Sequence, residues 1–484
     1  MRMARWALLA LILSACAAQP RSDDRAGDWF QAGEAEVAAR LTVKPNVRPA
    51  RNVILFIGDG MGPTTVTAAR IFDGQSRGQS GEENFLSFEK FPYTALIKTY
   101  NANQQVPDSA GTASAMNTGI KTRAGVLGIS AAARRGVCAD TLAHRVPTMG
   151  ETAAKAGKAV GIVTTTRLTH ATPAAVYAHV ADREWEGDGD MPAEALQSGC
   201  TSIARQLIEF SAGSGIDVAF GGGREKFGED LIGRWRARFP NGRLIEDRQA
   251  LAALDATQGG QVLGVFNRSH LTYMMDRKAN SNEPTLSEMT AKAIDILSRR
   301  KHGYYLMVEG GRIDHAHHEG VAGKALMEVQ EFAKAIQTAV DKVDLNDTLI
   351  LVTADHSHVF TMAGYPKRGN PILGLVAGND EHGEPKSEPS RALDGKPYTT
   401  LGYHNGPGAV SGPRPEPSTD PAARQQALVP TYTRAGDRDL PTETHGGEDV
   451  ALYAIGPRAY LVGGVLEQHV IYHLMSRAFG WHER

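Results

Sequence analysis

The chain has 484 residues, 42% hydrophobic and 22% charged, enough to bury one large core with a smaller appendage. Lys plus Arg number 52 against 54 Asp plus Glu, a formal net charge of −2. That balance excludes the basic footprint of a nucleic-acid binder, so an anionic substrate must be held by local charges such as metals or an arginine.

Residues 1–16 read as a targeting segment and are set aside from the fold. Arg2 and Arg5 give a positive start, residues 7–13 are apolar, and Leu13-Ser14-Ala15-Cys16 follows. These four residues fit a bacterial lipoprotein signal, in which 1–15 is removed and the Cys16 thiol carries a diacylglycerol. An ordinary secretory signal cut slightly later is the other reading. The first reading places the protein in a bacterial cell envelope, on the outer membrane, facing periplasm or surface, because Ala17 is not an aspartate-type retention signal. No other apolar run approaches the roughly eighteen residues of a bilayer span. Residues 16–50 form a lipid-anchored arm, with helical spacing in AGEAEVAARL at 32–41. The core is residues 51–484. Cys138 and Cys200 read as one disulfide in an exported protein, with two buried free thiols as the alternative.

Within the core, NVILFIGDGMG carries an apolar run at 53–57 and delivers Asp59 among Gly58, Gly60 and Gly62. In VPDSAGTASAMNTG, Ser109 precedes small helix formers. A helix N-terminus favours an anion or alkoxide, although most Asp-Ser pairs there are plain caps. TTTRLTHATPAAVYAHVADREW offers His170, Thr172 and Arg183, whose guanidinium could fork onto two phosphate oxygens. The run YYLMV at 304–308 leads into VEGGRIDHAHHE, which holds five potential ligands: Glu309, Asp314, His315, His317 and His318. After the diglycine a helix begins, and Asp314 and His318, four apart, share one face. Val329, Phe332, Ile336, Val340 and Val343 then mark one apolar side of a long helix. TLILVTADHSH delivers Asp355, His356 and His358 beyond a strand, and ETHGGEDVALYAIGP places His445 just before another. Further strands are expected at 159–166 and 216–223. Between 362 and 440 the chain turns rich in Gly, Pro, Ser and charge, which predicts an inserted, partly irregular surface region, with a disordered linker as the alternative.

Strands alternating with helices predict an α/β fold: a three-layer α/β/α sandwich around a central, mainly parallel sheet, plus the inserted, crown-like region. In such sheets ligands bind beyond the carboxyl ends of the strands, where these carboxylates and histidines fall. Each motif alone is weak, since an Asp after a strand is usually a cap or turn former. Together they supply ligands for more than one metal.

The motifs IGDGMG, DSAGTAS, THATPAA, ADREW, VEGGRIDHAHHE, TADHSH and THGGEDVALYA occur in the order of the alkaline phosphatases, and the chain resembles that family from about residue 51 to 456. The resemblance implies a phosphate monoesterase with two zinc ions and one magnesium. Asp314, His318 and His445 would hold the first zinc. Asp59, Asp355 and His356 would hold the second, which also meets the nucleophile Ser109. Asp59, Thr172 and Glu309 would hold the magnesium. Arg183, steadied by Asp108, would bind phosphate, His170 would act on the third ion through water, and His358 would orient the site from behind the ligands. Cys138 and Cys200 match a disulfide of the animal-type branch, which the metal motifs also favour, and a homodimer is implied. The branch's calcium site is not expected here, because its Phe-Glu pair reads Phe266-Asn267, with Glu283 further on. Rival readings are a phosphodiesterase, phosphonate hydrolase or sulfatase of the same superfamily, and a non-catalytic zinc-binding lipoprotein.

Overall fold

The computed structural model describes residues 24–430 and 442–481, so residues 1–23, with the targeting segment and Cys16, lie outside the described residues. The chain divides into two compact units, Met1–Lys44 and Pro45–Arg484. The described part of the first contains a helix, Asp24–Leu41.

The second unit is built on strands β1 (Asn52–Gly58), β2 (Tyr93–Lys98), β3 (Ala159–Arg167), β4 (Val218–Gly222), β5 (Arg243–Ile245), β6 (Val262–Val265), β7 (Tyr304–Glu309) and β8 (Thr348–Ala354). Short pieces follow: β9 (Ser357–His358), β10 (Phe360–Met362), β11 (Leu401–Asn405), β12 (Ala427–Val429) and β13 (His445–Gly446). The chain then returns to the main sheet as β14 (Val450–Ile455) and β15 (Val465–Glu467). Ten strands form that sheet in the order β15-β2-β14-β8-β1-β7-β3-β4-β6-β5. All run parallel except β14, which is antiparallel to both neighbours. The apolar runs explain the centre. Residues 53–57 and 304–308 are sealed from solvent, as parallel strands covered on both faces must be.

Helices pack in two groups. Leu286–Leu297, Ala322–Lys342 and Pro63–Ser76 make one, while Ser109–Thr118, Met149–Lys155 and Val470–Ala478 make the other. Of the expected apolar side of the long helix, Ala322–Lys342, Val329, Phe332 and Ile336 are fully buried, Val340 is partly buried, and Val343 falls just past the helix end. A disulfide joins Cys138 and Cys200.

The described part of the 362–440 segment, residues 362–430, is less irregular than its composition predicts. Its β11 and β12 complete a three-stranded sheet with β10. These strands are too short to show a clear alternation of polar and apolar residues. Beside Phe266-Asn267, the Glu283 carboxylate is engaged by Asn267 Nδ2 at 2.5 Å, the Thr272 amide at 2.7 Å and the Thr272 hydroxyl at 2.9 Å. The Arg277 guanidinium donates to the carbonyls of Thr272, Glu283 and Pro284.

Candidate metal centre

The chemistry-bearing residues gather beyond the carboxyl ends of β1, β3, β7 and β8, the crevice where open α/β sheets bind ligands. Asp59 follows β1, Glu309 closes β7, and Asp355 and His356 follow β8. The two-residue ladder of β9 and β13 pairs His358 with His445, which folds the distant THGGED segment onto the ADHSH segment. Gly60 makes room for this. Its φ is +67°, and a Cβ there would stand 2.4 Å from the His358 ring.

Three clusters result. In the first, His318 Nε2 and His445 Nε2 face each other at 3.0 Å, and Asp314 Oδ1 lies 3.4 and 3.5 Å from them. Asp314 and His318 come from one face of the helix Arg312–His318, as the spacing predicts. His445 Nδ1 donates to the Pro107 carbonyl at 2.8 Å, so its Nε2 presents a lone pair. In the second, Asp59, Asp355 and His356 converge, all buried, with His356 Nε2 3.5 Å from Asp59 and 3.3 Å from Asp355. The stacked rings of His356 and His445, 3.6 Å apart, join the two clusters. In the third, Asp59 and Glu309 meet His170. Thr164 and Thr166 both donate to Glu309 Oε2, because the β3–β7 register sets Thr164 beside Glu309.

Ser109 opens the helix Ser109–Thr118, capped by Asp108, which accepts from the Gly111 amide at 3.1 Å. Its Oγ lies 3.1 Å from His356 Nε2. Arg183 is fixed by its two ends, Nη1 3.4 Å from Asp108 Oδ2 and Nη2 3.1 Å from His170 Nε2.

Both oxygens of Asp59, Asp355 Oδ2, Glu309 Oε1, Thr172 Oγ1 and His170 Nδ1 are buried without a partner in hydrogen-bonding geometry. An unsatisfied buried polar atom costs about 1–3 kcal/mol, and two facing imidazole lone pairs repel. Cations would resolve both, so this donor set fits metal ions. The electrostatics agree. Burial, then the Asp355, Asp314 and Glu309 carboxylates, push Asp59 well above the usual range. Burial raises Glu309 to about 7 and Asp355 to about 6, and lowers His356 to about 3.

Two histidines of the richest motif do not join the clusters. His317 sits between Thr65 Oγ1 at 3.0 Å and the Tyr403 hydroxyl at 2.8 Å. His315 takes a contact from Arg312 at 2.7 Å and packs against His270. Sequence reasoning missed Thr164, Thr166, Gln468, which donates to the Asp355 carbonyl at 2.7 Å, and Glu443. The threonine run ending β3 and an acidic residue two before His445 were the available signals.

His358 lies between two carboxylates, Asp314 Oδ1 at 2.8 Å and Glu443 Oε2. Burial opposes its charge, but Glu443 and the Asp314 hydrogen bond raise it to about 10. An unfolded histidine titrates near 6.5. The folded value is the higher one, so the stabilisation is complete below about pH 6.5 and is lost as pH climbs towards 10. Raising pH from 7 to 9 should therefore lower the folding stability of the metal-free protein through this group. Denaturant titrations at both pH values check this, and His358→Gln should flatten that part of the slope.

A family model described as alkaline phosphatase matches residues 50–480. The tissue-nonspecific alkaline phosphatase isozyme of Gallus gallus is 43% identical over 97% of this chain and 93% of its own. The alkaline phosphatase of Gadus morhua is 44% identical over 93% of this chain and 96% of its own. Among solved structures, the Thermus thermophilus alkaline phosphatase has a TM-score of 0.65 at 25% identity, covering 90% of this chain and 92% of that one. The enzyme of the Antarctic bacterium TAB5 shares the fold, with a TM-score of 0.60 at 22% identity, covering 90% and 99%.

These relatives correct one expectation. The bacterial cell-envelope and outer-membrane placement is overturned by the animal source of the enzymes that share 43–44% of this chain's residues. Four residues around Cys16 are a slight cue beside identity over nearly the whole chain. No helix among the described residues is long and apolar enough to cross a membrane.

Proposed function

The chain belongs to the alkaline phosphatase family of metal-dependent phosphomonoesterases, and from that premise we propose that it works through a phosphoserine formed on Ser109 at a centre of two zinc ions and one magnesium. The observation that carries this reading is Ser109 Oγ at a helix N-terminus, 3.1 Å from His356 Nε2, next in the chain to Asp108, which holds Arg183.

Asp314, His318 and His445 would hold one zinc, and Asp59, Asp355 and His356 the other, since nitrogen-containing donor sets suit zinc. Asp59, Thr172 and Glu309 offer oxygens alone, which suits magnesium. When bound, the cations neutralise phosphoryl charge and make a serine hydroxyl acidic enough to react. Ser109 Oγ, its proton released, attacks phosphorus in line. Its O–P bond forms as the ester P–O bond breaks, and the alcohol leaves after taking a proton from water. Water then cleaves the phosphoserine, restoring the hydroxyl and releasing inorganic phosphate. Arg183 retains N–H groups for the equatorial oxygens while Asp108 and His170 fix its plane. Asp108 is held below the usual carboxylate range: burial opposes this, but the Arg183 charge and the Gly111 and Gly125 amides outweigh it. It therefore stays ionised to steady the arginine.

An aryl phosphate monoester compared with its methyl diester tests the reading. The monoester should be hydrolysed faster, because an anchored guanidinium and a third cluster suit a dianionic phosphoryl group. A faster diester would move the chain to a phosphodiesterase.

A further inference from the structure

Glu443 is fully buried, two residues before His445, and has no part in the chemistry above. Its carboxylate Oε1 accepts from the Val359 amide at 2.8 Å, and Oε2 meets His358 Nδ1. The other nitrogen of that ring, Nε2, lies 2.8 Å from Asp314 Oδ1. The main chain of Glu443 is engaged as well. Its carbonyl lies 2.6 Å from His318 Nδ1, and its amide donates to the His318 carbonyl at 3.1 Å.

Carboxylate and carbonyl oxygens only accept, so the Nδ1 atoms of His318 and His358 both carry protons. For His318 this fixes the tautomer and turns the Nε2 lone pair towards His445 and Asp314. For His358 it fixes the ring plane that supports Asp314 Oδ1. The Glu443 carboxylate comes close enough to His318 and His358 to be considered as a ligand itself. Both its oxygens already accept hydrogen bonds, however, unlike those of Asp59. Its geometry is that of a group holding ligands in place.

We propose that Glu443 is a positioning residue for the metal site of Asp314, His318 and His445, acting on Asp314 through His358 and on His318 through its own main chain. The inference rests on the zinc reading of that site. Partners of this kind typically change metal affinity or activity by about 10–100-fold when removed.

The test uses the full chain, stripped and reloaded with zinc, in four forms: unaltered, Glu443→Gln, His358→Gln and both together. Zinc affinity is measured by competition with a chromophoric chelator. Glu443→Gln should weaken one zinc by about 10–100-fold and leave the other unchanged. The double variant should be no worse than the poorer single one, because both changes break the same chain of contacts. Two zinc sites of unaltered affinity in Glu443→Gln would overturn the proposal. So would losses that simply multiply in the double variant, which would mark two independent structural defects. If Glu443→Gln does not fold, His358→Gln decides alone, since unchanged zinc affinity there removes the route to Asp314. If the unaltered chain binds no zinc, the metal reading itself fails, a result distinct from these.

Discussion

Ser109→Ala should lower kcat by about four orders of magnitude or more, the scale seen when a nucleophile is removed and only binding and electrostatic catalysis remain. The fold should barely notice. Asp108, not Ser109, caps the helix, and its bonds to the Gly111 and Gly125 amides persist. Among the described residues, the serine's side chain makes one hydrogen bond, to His356 Nε2 at 3.1 Å, so the stability change should stay within about 1 kcal/mol. Zinc content should be retained, because Asp59, Asp355 and His356 remain in place. Steady-state rates with an aryl phosphate, run beside metal analysis of the same sample, separate lost chemistry from lost metal. Substantial activity in a metal-loaded variant would remove Ser109 from the nucleophile's role.

Chelation should have an effect of similar size by a different route. Stripping the cations should take turnover to background, and zinc with magnesium should restore it. Stability should fall too. A ligand present at a thousand times its Kd contributes about 4 kcal/mol per site to the folded state, and its removal leaves the orphaned oxygens of Asp59 and Asp355 unsatisfied again. Melting curves with and without chelator measure this. Ser109→Ala should show the same drop in Tm on chelation although it is inactive at the start. A Tm indifferent to chelation would contradict the metal reading.

Much of the centre is legible in the sequence because its parts sit where local rules act. The runs at 53–57 and 304–308 announce buried parallel strands, and Asp59 and Glu309 follow from standing at their ends. Asp314 and His318 follow from helical spacing. The same spacing explains why His315 and His317 part company with them: each stands next to one of the pair, about 100° round the helix, so their side chains flank the shared face on opposite sides, towards Arg312 and Tyr403 respectively. Other features depend on chain pairing at long range. The antiparallel insertion of β14 between β2 and β8 has no local signature. The ladder of β9 and β13 is two residues long, so no pattern could reveal that His445 lands on His358. Glu443 was missed for that reason, since its value lies in what the ladder brings beside it. Thr164 reads as an ordinary β-branched strand residue until the register sets it against Glu309. In 362–440 composition outweighed pattern, and β11 was lost among turn formers.

The decisive measurement is chemical. The zinc-loaded protein is quenched with acid during incubation with radiolabelled phosphate, digested, and the labelled peptide sequenced. Phosphate on Ser109, absent from Ser109→Ala, is the expected result. Label on any other residue, or none from fully metal-loaded and active protein, would show that hydrolysis proceeds without the serine ester.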